Sequence, residues 1–252
     1  MRKTCGILAL LAACGAPGPA GEPRPWTRLP GEVECRRARG PITIDGEARE
    51  EDWARAELVS NFSQPWRKAE DRPARAGTRA RLLWDDEAFY FFVECEDRDL
   101  WAEIREHDGR LWFNDTFEIF LKPSREGPGY YEFHVNPAGA TLDAFFPSRE
   151  AGGFDRWKSA HPFDFRAATI CEGTLDVRTD TDRGWRAEGR IAWTGFEPTG
   201  GRPRTGDLWT FALCRYDYTL GEKEPELSTC APLGEKNFHR HEDYRPLRFA
   251  GP

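Results

Sequence analysis

The chain has 252 residues, with 36 lysines and arginines against 43 aspartates and glutamates, which gives a formal net charge of −7. This length is enough for one large β domain with a hydrophobic core of its own. Phosphate backbones require a concentrated basic patch, and the sequence contains none, so nucleic acid is excluded as a partner. We expect a single domain that is a monomer.

The first 13 residues have the features of an export signal. Arg2 and Lys3 precede an apolar run at 7–11, which is too short to span a bilayer as a helix. The small residues before Cys14 resemble the cleavage site of a bacterial lipoprotein, whose cysteine becomes the lipidated N-terminus. We therefore predict a signal peptide at 1–13 and a lipid anchor on Cys14, which would hold the protein on a membrane. The alternative is an ordinary cleaved signal with an incidental cysteine.

Residues 14–32 are rich in proline and glycine and predict a flexible tether, so the folded domain is expected at 33–252. The glycine after Cys14 resembles the sorting signal for the outer membrane or cell surface of a Gram-negative bacterium. The cysteines of the domain form no CxxC pair, which argues against a zinc site. Export permits disulfides, but the sequence does not say which cysteines would pair. These cysteines are Cys35, Cys95, Cys171, Cys214 and Cys230.

Short apolar runs separated by turns dominate the domain. In chain order they lie at 80–84 and 88–96, at 117–123 and 130–137, on both sides of a polar turn within 174–193, and at 207–218. A last run at 246–249 is predicted to close a sheet edge, and 50–56 is the best candidate for a helix. Many short strands with few short helices predict an all-β fold, an antiparallel β-sandwich of jelly-roll or immunoglobulin type.

A polar stripe interrupts the apolar strand at 130–137. Because side chains alternate along a strand, Glu132, His134 and Asn136 share one face. If the run at 117–123 pairs with this strand, Glu118 lies beside Glu132 or His134, depending on the register. Together with Trp112 these side chains could hydrogen-bond the hydroxyl groups of a ligand. The alternative is a solvated outer face of the sandwich, which shows the same alternation.

Seven segments, in their order and spacing, resemble a family 9 carbohydrate-binding module. They are ITIDGEAREEDWARA, ARLLWDDEAFYFFVECEDRDL, LWFNDTFEIFLKP, YYEFHVNPAGATLDAFF, GWRAEGRIAW, TFALCRYDY and NFHRHEDYRPLRF, and they extend from about residue 42 to 249. The resemblance implies a β-sandwich without catalytic activity that binds a mono- or polysaccharide, often at a chain end, in support of polysaccharide catabolism.

In the family the sugar is clamped between two aromatic rings. The resemblance assigns one ring to Trp112 and the other to Phe238, which replaces the tryptophan of the best-studied members. It also places His134 where those members have a sugar-binding arginine, and Glu132 where they have an amide. The predicted carbohydrate-binding residues are Trp112, Glu118, Glu132, His134, Asn136 and Phe238. Aromatic planes pack on the C–H faces of a pyranose, while the polar groups direct its hydroxyls.

The resemblance further implies a structural calcium ion, because family members hold calcium with oxygen ligands. The acidic loops at 85–87 and 96–99 are candidates, and the metal ligands themselves stay unassigned. One rival function is glycoside hydrolysis by acidic residues of the region 115–143, since that reaction needs two carboxyl groups flanking the bond. These acids are Glu118, Glu132 and Asp143.

A second rival function is haem or redox binding by a sandwich domain. The only methionine is the initiator, so a methionine-ligated haem is excluded. The histidines could still act as ligands, and they are His107, His134, His161, His239 and His241.

Overall fold

The structure is a computed structural model that describes residues 28–123, 126–149, 151–158 and 163–252. The predicted signal peptide, Cys14 and most of the predicted tether lie outside the described residues, and so does His161. The first strand begins at Val33. Within the described ranges, no helix is both long and apolar enough to cross a membrane.

The described residues form twelve strands and a few short helices. The strands are β1 Val33–Arg37, β2 Leu58–Val59, β3 Thr78–Trp84, β4 Ala88–Glu96, β5 Thr116–Lys122, β6 Tyr130–Val135, β7 Thr141–Phe146, β8 Phe165–Glu172, β9 Gly184–Ala192, β10 Leu208–Asp217, β11 Glu226–Thr229 and β12 Arg245–Ala250. The α-helices are α1 Glu51–Arg55 and α2 Phe154–Trp157. Short 3-10 helices lie at Ala69–Asp71, Leu111–Phe113, Trp193–Thr199 and His241–Asp243.

Hydrogen bonds join the strands in the order β7-β6-β5-β10-β12-β1-β3-β4-β9-β8, with β11 on β10 and β2 on β3. Every pairing is antiparallel except the two made by β1, which runs parallel to β12 and β3. The sheet closes over itself, so that Phe117 of β5 lies 6.3 Å from Phe91 of β4, and Phe133 of β6 lies 5.5 Å from Phe165 of β8, between ring centroids. The β-sandwich prediction is confirmed.

Alternation decides which side chains form the core. On β5, Phe117, Ile119 and Leu121 belong to the main core cluster, whereas Phe120 belongs to a second cluster on the opposite face. The predicted helix is confirmed as α1. Five tryptophans that the sequence places in the core are buried, namely Trp53, Trp84, Trp185, Trp193 and Trp209.

The strand predicted within 174–183 is wrong, and so is the edge position predicted for the strand at 246–249. Residues 174–183 form turns, because Asp182 accepts hydrogen bonds from the backbone of Leu100 and Thr174, and Asp176 accepts one from Ala102. The partner of β9 is instead β8, which precedes these turns. The run at 246–249 belongs to β12, which lies between β10 and β1 in the interior of the sheet and closes no edge.

The cysteines of the domain are free thiols, and Cys171 is the least buried of them. Cys214 lies opposite Thr229 on β11 and donates a weak hydrogen bond to its hydroxyl over 3.4 Å. The backbone N–H of Leu213 donates to the sulfur of Cys230 over 3.3 Å. The cysteines therefore contribute to the core as small apolar residues.

Candidate functional site

A cavity of about 640 Å³ lies on the face of β5, β6 and β7 that points away from the main core. Its floor consists of strand residues of both aromatic and charged type, and its rim includes Arg149 and the segments 152–154 and 236–239. Cavities that bind small ligands have roughly this size, about 300–1,000 Å³. The lining residues include Trp112, Glu118, Phe120, Tyr130, Glu132, Phe146, Arg149, Phe154, Tyr216, Leu227, Lys236, Asn237, Phe238 and His239.

The polar stripe on β5 and β6 is buried beneath this cavity. Glu118, Glu132 and His134 are each less than 5% exposed to solvent. A solvated outer face would leave them wet, so that alternative is wrong for this part of the sheet. Burying charged groups costs free energy unless they are paired, and these three residues are paired with one another.

The register of β5 and β6 places Glu118 directly opposite His134. The Oε1 atom of Glu118 lies 3.3 Å from Nδ1 of His134, and Nε2 of His134 lies 2.6 Å from Oε1 of Glu132. The imidazole therefore lies between the two carboxyl groups, with a hydrogen bond to Glu132 but only an ion-pair contact to Glu118, because Nδ1 makes no hydrogen bond with the described residues. The sequence allowed either Glu132 or His134 as the neighbour of Glu118, and the cross-strand partner is His134.

Burial raises the pKa of the Glu118 carboxyl to about 8, although His134 acts in the opposite direction. Burial alone would lower the pKa of His134, but the two carboxylates outweigh it and the pKa lies above its usual value. For Glu132, burial works to raise the pKa, yet His239 and His134 prevail and lower it. Burial thus disfavours the ionised form of Glu118, while the neighbouring carboxylates favour a protonated His134 and the neighbouring imidazoles favour an ionised Glu132.

One carboxylate oxygen in the cavity lacks a partner. Oε2 of Glu132 is buried and accepts no hydrogen bond from any described residue. Nδ1 of His239 is 4.0 Å from this oxygen and shares a 3.0 Å hydrogen bond with the hydroxyl of Tyr130. Buried polar atoms are nearly always hydrogen-bonded, so an unsatisfied oxygen at the floor of a cavity is a natural acceptor for a ligand.

Trp112 forms part of the wall. It lies in the 3-10 helix Leu111–Phe113 just ahead of β5, and its backbone carbonyl accepts a 2.7 Å hydrogen bond from the Tyr218 hydroxyl. Its ring is edge-on to Phe154, with centroids 5.3 Å apart, and to His134, with centroids 6.1 Å apart. The indole is only partly buried, which leaves a face for a ligand.

Asp115, which is completely buried, anchors this wall from behind. Its carboxylate accepts hydrogen bonds of 2.7 Å from the backbone N–H groups of Trp101 and Tyr218. It is not among the residues that line the cavity. The position of the Trp112 turn therefore depends on a buried side chain that cannot contact a ligand itself.

Phe238 lines the same cavity but is only 5% exposed. Its ring packs against Tyr216 at 5.4 Å, Trp66 at 6.1 Å and Phe120 at 6.5 Å. The backbone carbonyl of Phe238 accepts a 2.7 Å hydrogen bond from the hydroxyl of Tyr244. This residue is thus a fixed, well-packed part of the wall, with much less free ring surface than an exposed platform would have.

Asn136 does not line the cavity. Its amide donates to the backbone carbonyl of Ile104 over 2.7 Å, and its oxygen accepts from the backbone N–H of Ala140 over 2.9 Å. These bonds hold the turn between β6 and β7. The structure therefore separates Asn136, which acts on the backbone, from the other predicted site residues.

Sequence reasoning missed several lining residues, above all Tyr130, His239 and Phe154. Tyr130 shares the face of Glu132 by alternation, so the pattern on β6 could have identified it. His239 follows Phe238 directly, but its proximity to β6 is a contact across more than 100 residues. No local pattern in the sequence signals that contact.

The carboxylates of the acidic loops that were candidates for calcium accept hydrogen bonds from protein donors. Asp85 accepts them from two backbone N–H groups and from Tyr90. Both oxygens of Asp99 accept from Arg178.

Asp97 of the second loop has a different environment. It accepts a hydrogen bond from the buried guanidinium of Arg215, and it also lies beside Asp115 and Asp217, with one carboxylate oxygen from each of the three within 4.8 Å of the others. Because calcium is held by such oxygen ligands, a structural calcium ion stays a prediction.

The carboxyl groups of the region 115–143 do not form a hydrolytic pair. Glu118 and Glu132 contact the same imidazole rather than facing each other across a gap for a substrate bond. Asp143 pairs with Phe133 in register and so lies on the face opposite the cavity. The arrangement of these carboxyl groups suits the binding of a ligand.

An aromatic-walled cavity with buried charged groups on a β-sandwich defines a ligand-binding domain. A model of the family described as "Carbohydrate family 9 binding domain-like" matches residues 44–242. The chain belongs to this family. As a member of a family of binding domains, it is a carbohydrate-binding domain without catalytic activity.

Similar proteins agree with this assignment. The chain is 25% identical over 191 residues to "Endo-1,4-beta-xylanase A" of Thermotoga neapolitana, a match that covers 68% of this chain but only 17% of that enzyme. A family 9 module of Caldicellulosiruptor kristjanssonii in complex with cellotriose has a TM-score of 0.59 at 18% identity, and covers 88% of this chain and 94% of its own. A putative carbohydrate-binding protein of Bacteroides uniformis has a TM-score of 0.63 at 16% identity, covering 86% and 98%.

Proposed function

We propose that the cavity beside Trp112 is the carbohydrate site of this domain, and that one sugar residue lies between the walls formed by Trp112 and Phe238. The observation that carries the proposal is the buried, unpartnered Oε2 of Glu132 at the floor of an aromatic cavity. A sugar hydroxyl is a neutral donor that can reach such an atom, and the partly exposed indole suits the C–H face of a pyranose.

Different residues of the cavity supply its apolar surface and its hydrogen-bonding groups. Trp112 supplies apolar area, and Glu132 and Asn237 supply hydrogen-bonding groups at the cavity surface. His134 lies under the floor and holds Glu132 in place, so it acts by positioning rather than by contact. Phe238 closes the opposite wall with its packed ring. An open groove of this kind leaves part of the sugar wet, which predicts modest affinity.

The chemical class of sugar is proposed from the relatives. The Caldicellulosiruptor kristjanssonii module was solved with cellotriose and with glucose, so glucose and cello-oligosaccharides are the first ligands to test, followed by other mono- and oligosaccharides. Binding that requires a free reducing or non-reducing end would indicate recognition of chain ends. We further propose that such binding supports polysaccharide breakdown by separate enzymes.

The test is isothermal calorimetry of the purified protein against this panel, together with three variants. Trp112→Ala is expected to weaken binding by about tenfold or more, which corresponds to about 1.4 kcal/mol. Phe238→Leu, chosen because Phe238 is buried, is expected to weaken it less. Phe113→Ala is the matched control, since Phe113 is 52% exposed, neighbours Trp112 and is not part of the cavity. Equal affinity of the Trp112 and Phe113 variants would contradict the proposed site.

We also propose that lipid on Cys14 anchors the domain at the outer membrane or cell surface. The support is the basic start, the short apolar run and the small residues ahead of the cysteine. Mass spectrometry of the mature protein should find a lipid-modified N-terminal cysteine, and Cys14→Ser should release the protein from the membrane fraction. An unmodified N-terminus at any other residue would contradict the anchor.

A further inference from the structure

A second cluster of polar side chains lies where the segment leading to Trp112 meets β7, on the face opposite the sugar cavity. It consists of His107, Asp108 and Asp143, each offering one ligand atom, and the three atoms lie within 4.8 Å of one another. Nε2 of His107 is 3.6 Å from Oδ1 of Asp108 and 3.8 Å from Oδ2 of Asp143. The cluster is separate from the residues proposed to bind carbohydrate, and the inference does not depend on that proposal.

The orientation of His107 is fixed by the ring nitrogen that faces away from the carboxylates. Nδ1 lies 3.0 Å from the backbone carbonyl of Thr141, which can only accept, so Nδ1 carries the proton and donates it. Nε2 then faces the two carboxyl groups. Histidines that bind metals are typically held this way, with the second nitrogen donating to a carbonyl.

The burial of Asp143 is a second feature of this cluster. Its residue is 4% exposed, and its Oδ2 lies 3.8 Å from Nε2 of His107, which is beyond hydrogen-bond distance. A buried carboxylate costs free energy unless a cation or a hydrogen-bond donor balances its charge.

The backbone around Asp108 is arranged to bring its carboxylate into the cluster. Asp108 has a φ of 59°, in the left-handed region that non-glycine residues rarely adopt. Its N–H donates to the carbonyl of Thr141 over 2.9 Å, and its Oδ1 accepts the N–H of Asp143 over 3.3 Å. These bonds attach the segment to the edge strand β7.

We propose that His107, Asp108 and Asp143 form a site for a divalent transition metal, with zinc as the best fit. One imidazole nitrogen and two carboxylate oxygens, completed by water, are a donor set that zinc accepts, and the separations of 3.6 and 3.8 Å need only small side-chain shifts. Calcium prefers oxygen ligands alone, so the imidazole selects against it. The metal would fasten the segment that leads to Trp112 onto β7.

The absence of cysteine pairs, which argues against zinc at the level of the sequence, does not bear on this site because its ligands are a histidine and two aspartates. His107 and Asp108 are adjacent in the chain, but Asp143 is 35 residues further on. Only the docking of the segment against β7 brings them together.

The experiment is calorimetric titration of the metal-free protein with zinc chloride, repeated with cobalt(II) as a spectroscopic substitute. The wild type is expected to bind one zinc ion, and His107→Gln and Asp143→Asn are each expected to weaken zinc binding by about tenfold or more. His107→Gln changes an exposed side chain, so it keeps the fold and the test remains valid if Asp143→Asn is unstable.

Two control variants complete the design. Asp180→Asn removes an exposed carboxylate, and His134→Gln disrupts the other His–carboxylate cluster; both are expected to keep zinc affinity. Saturable binding that His107→Gln abolishes, with visible cobalt absorption from a nitrogen ligand, supports the proposal. No saturable binding by the wild type, equal binding by wild type and His107→Gln, or loss only in His134→Gln would overturn it.

Discussion

Two buried charged clusters lie on opposite faces of the sheet, one on β5 and β6 and the other around the neighbouring strand β10, and they have different consequences. Under the cavity, His134 lies between Glu118 and Glu132, and one carboxylate oxygen stays unpartnered. On the core face, Arg215 of β10 is 1% exposed and ties Asp97 to Asp217. The first cluster borders open space, whereas the second is closed by protein on all sides.

The arginine cluster holds the two layers of the sandwich together. Besides its aspartates, Arg215 donates to the carbonyl of Glu96 over 2.7 Å and to the carbonyl of Gly77 over 3.2 Å, so it links β10 to the ends of β3 and β4. Arginine stays charged at every accessible pH, and both terminal nitrogens of Arg215 donate to protein acceptors, whereas its buried Nε has no partner among the described residues. The histidine cluster contains groups that can change their protonation state, and Oε2 of Glu132 accepts no hydrogen bond from the described residues. Buried charge alone therefore does not mark a ligand site; an unused polar atom beside a cavity does.

The largest expected effect comes from removing the arginine. Arg215→Met leaves Asp97 and Asp217 buried without their partner, so the free energy of unfolding should fall by about 3–5 kcal/mol. Urea unfolding followed by circular dichroism measures this. Arg166→Met is the control, because Arg166 is 69% exposed in its pair with Asp164 and should change stability by about 1 kcal/mol or less.

Sugar affinity of Arg215→Met, measured at a temperature where the variant stays folded, is expected to remain close to that of the wild type. This result would separate the structural cluster from the binding cluster. A loss of affinity as large as that of Trp112→Ala would show that the two clusters are not independent.

The pH dependence of stability tests the cluster under the cavity. In the folded state burial raises the pKa of Glu118 to about 8, while its ordinary value is 4.5. The folded protein therefore holds a proton that the unfolded chain releases, so this group's stabilising contribution is complete below pH 4.5 and is lost as the pH rises to 8. Glu118→Gln cannot titrate, and its stability relative to the wild type should increase by about 3.5 kcal/mol between pH 5 and pH 8. Parallel stability curves for the two proteins would contradict the burial of an ionisable Glu118.

The alternation along β6 was enough to predict the shared face of Glu132 and His134, because a strand places successive side chains on opposite sides. The register was not predictable, since it depends on how the whole layer packs. The strand predicted at 174–183 failed because Asp176 and Asp182 satisfy distant backbone groups and so favour turns.

The missed strand β8 has an equally physical explanation. Most of its residues are half-buried at the edge of the sheet, so its sequence shows no clear alternation. In the site, His239 and Phe154 come to the cavity from distant loops, and only the tertiary structure brings them there. Alternation placed Asn136 on the same face as Glu132 and His134, but its amide is hydrogen-bonded to the backbone of Ile104 and Ala140 and does not line the cavity.

The smallest expected effect is on affinity when the positioning residue is changed. His134→Gln keeps one hydrogen bond but loses the charge that holds Glu132, so sugar binding should weaken by about threefold to tenfold, or about 0.7–1.4 kcal/mol. His241→Gln is the matched control, because His241 packs against Tyr130 but does not contact Glu118 or Glu132. Calorimetry with the best sugar of the panel measures both. Equal loss in the two variants would indicate a general disturbance of this face instead of a specific role for His134.

The most direct test of the central claim is a crystal structure of the protein soaked with the sugar that binds best. The account predicts density for a pyranose inside the cavity, with its C–H face on the ring of Trp112 and a hydroxyl donating to Oε2 of Glu132. Ordered sugar bound at another surface, with this cavity empty at saturating concentration, would contradict it.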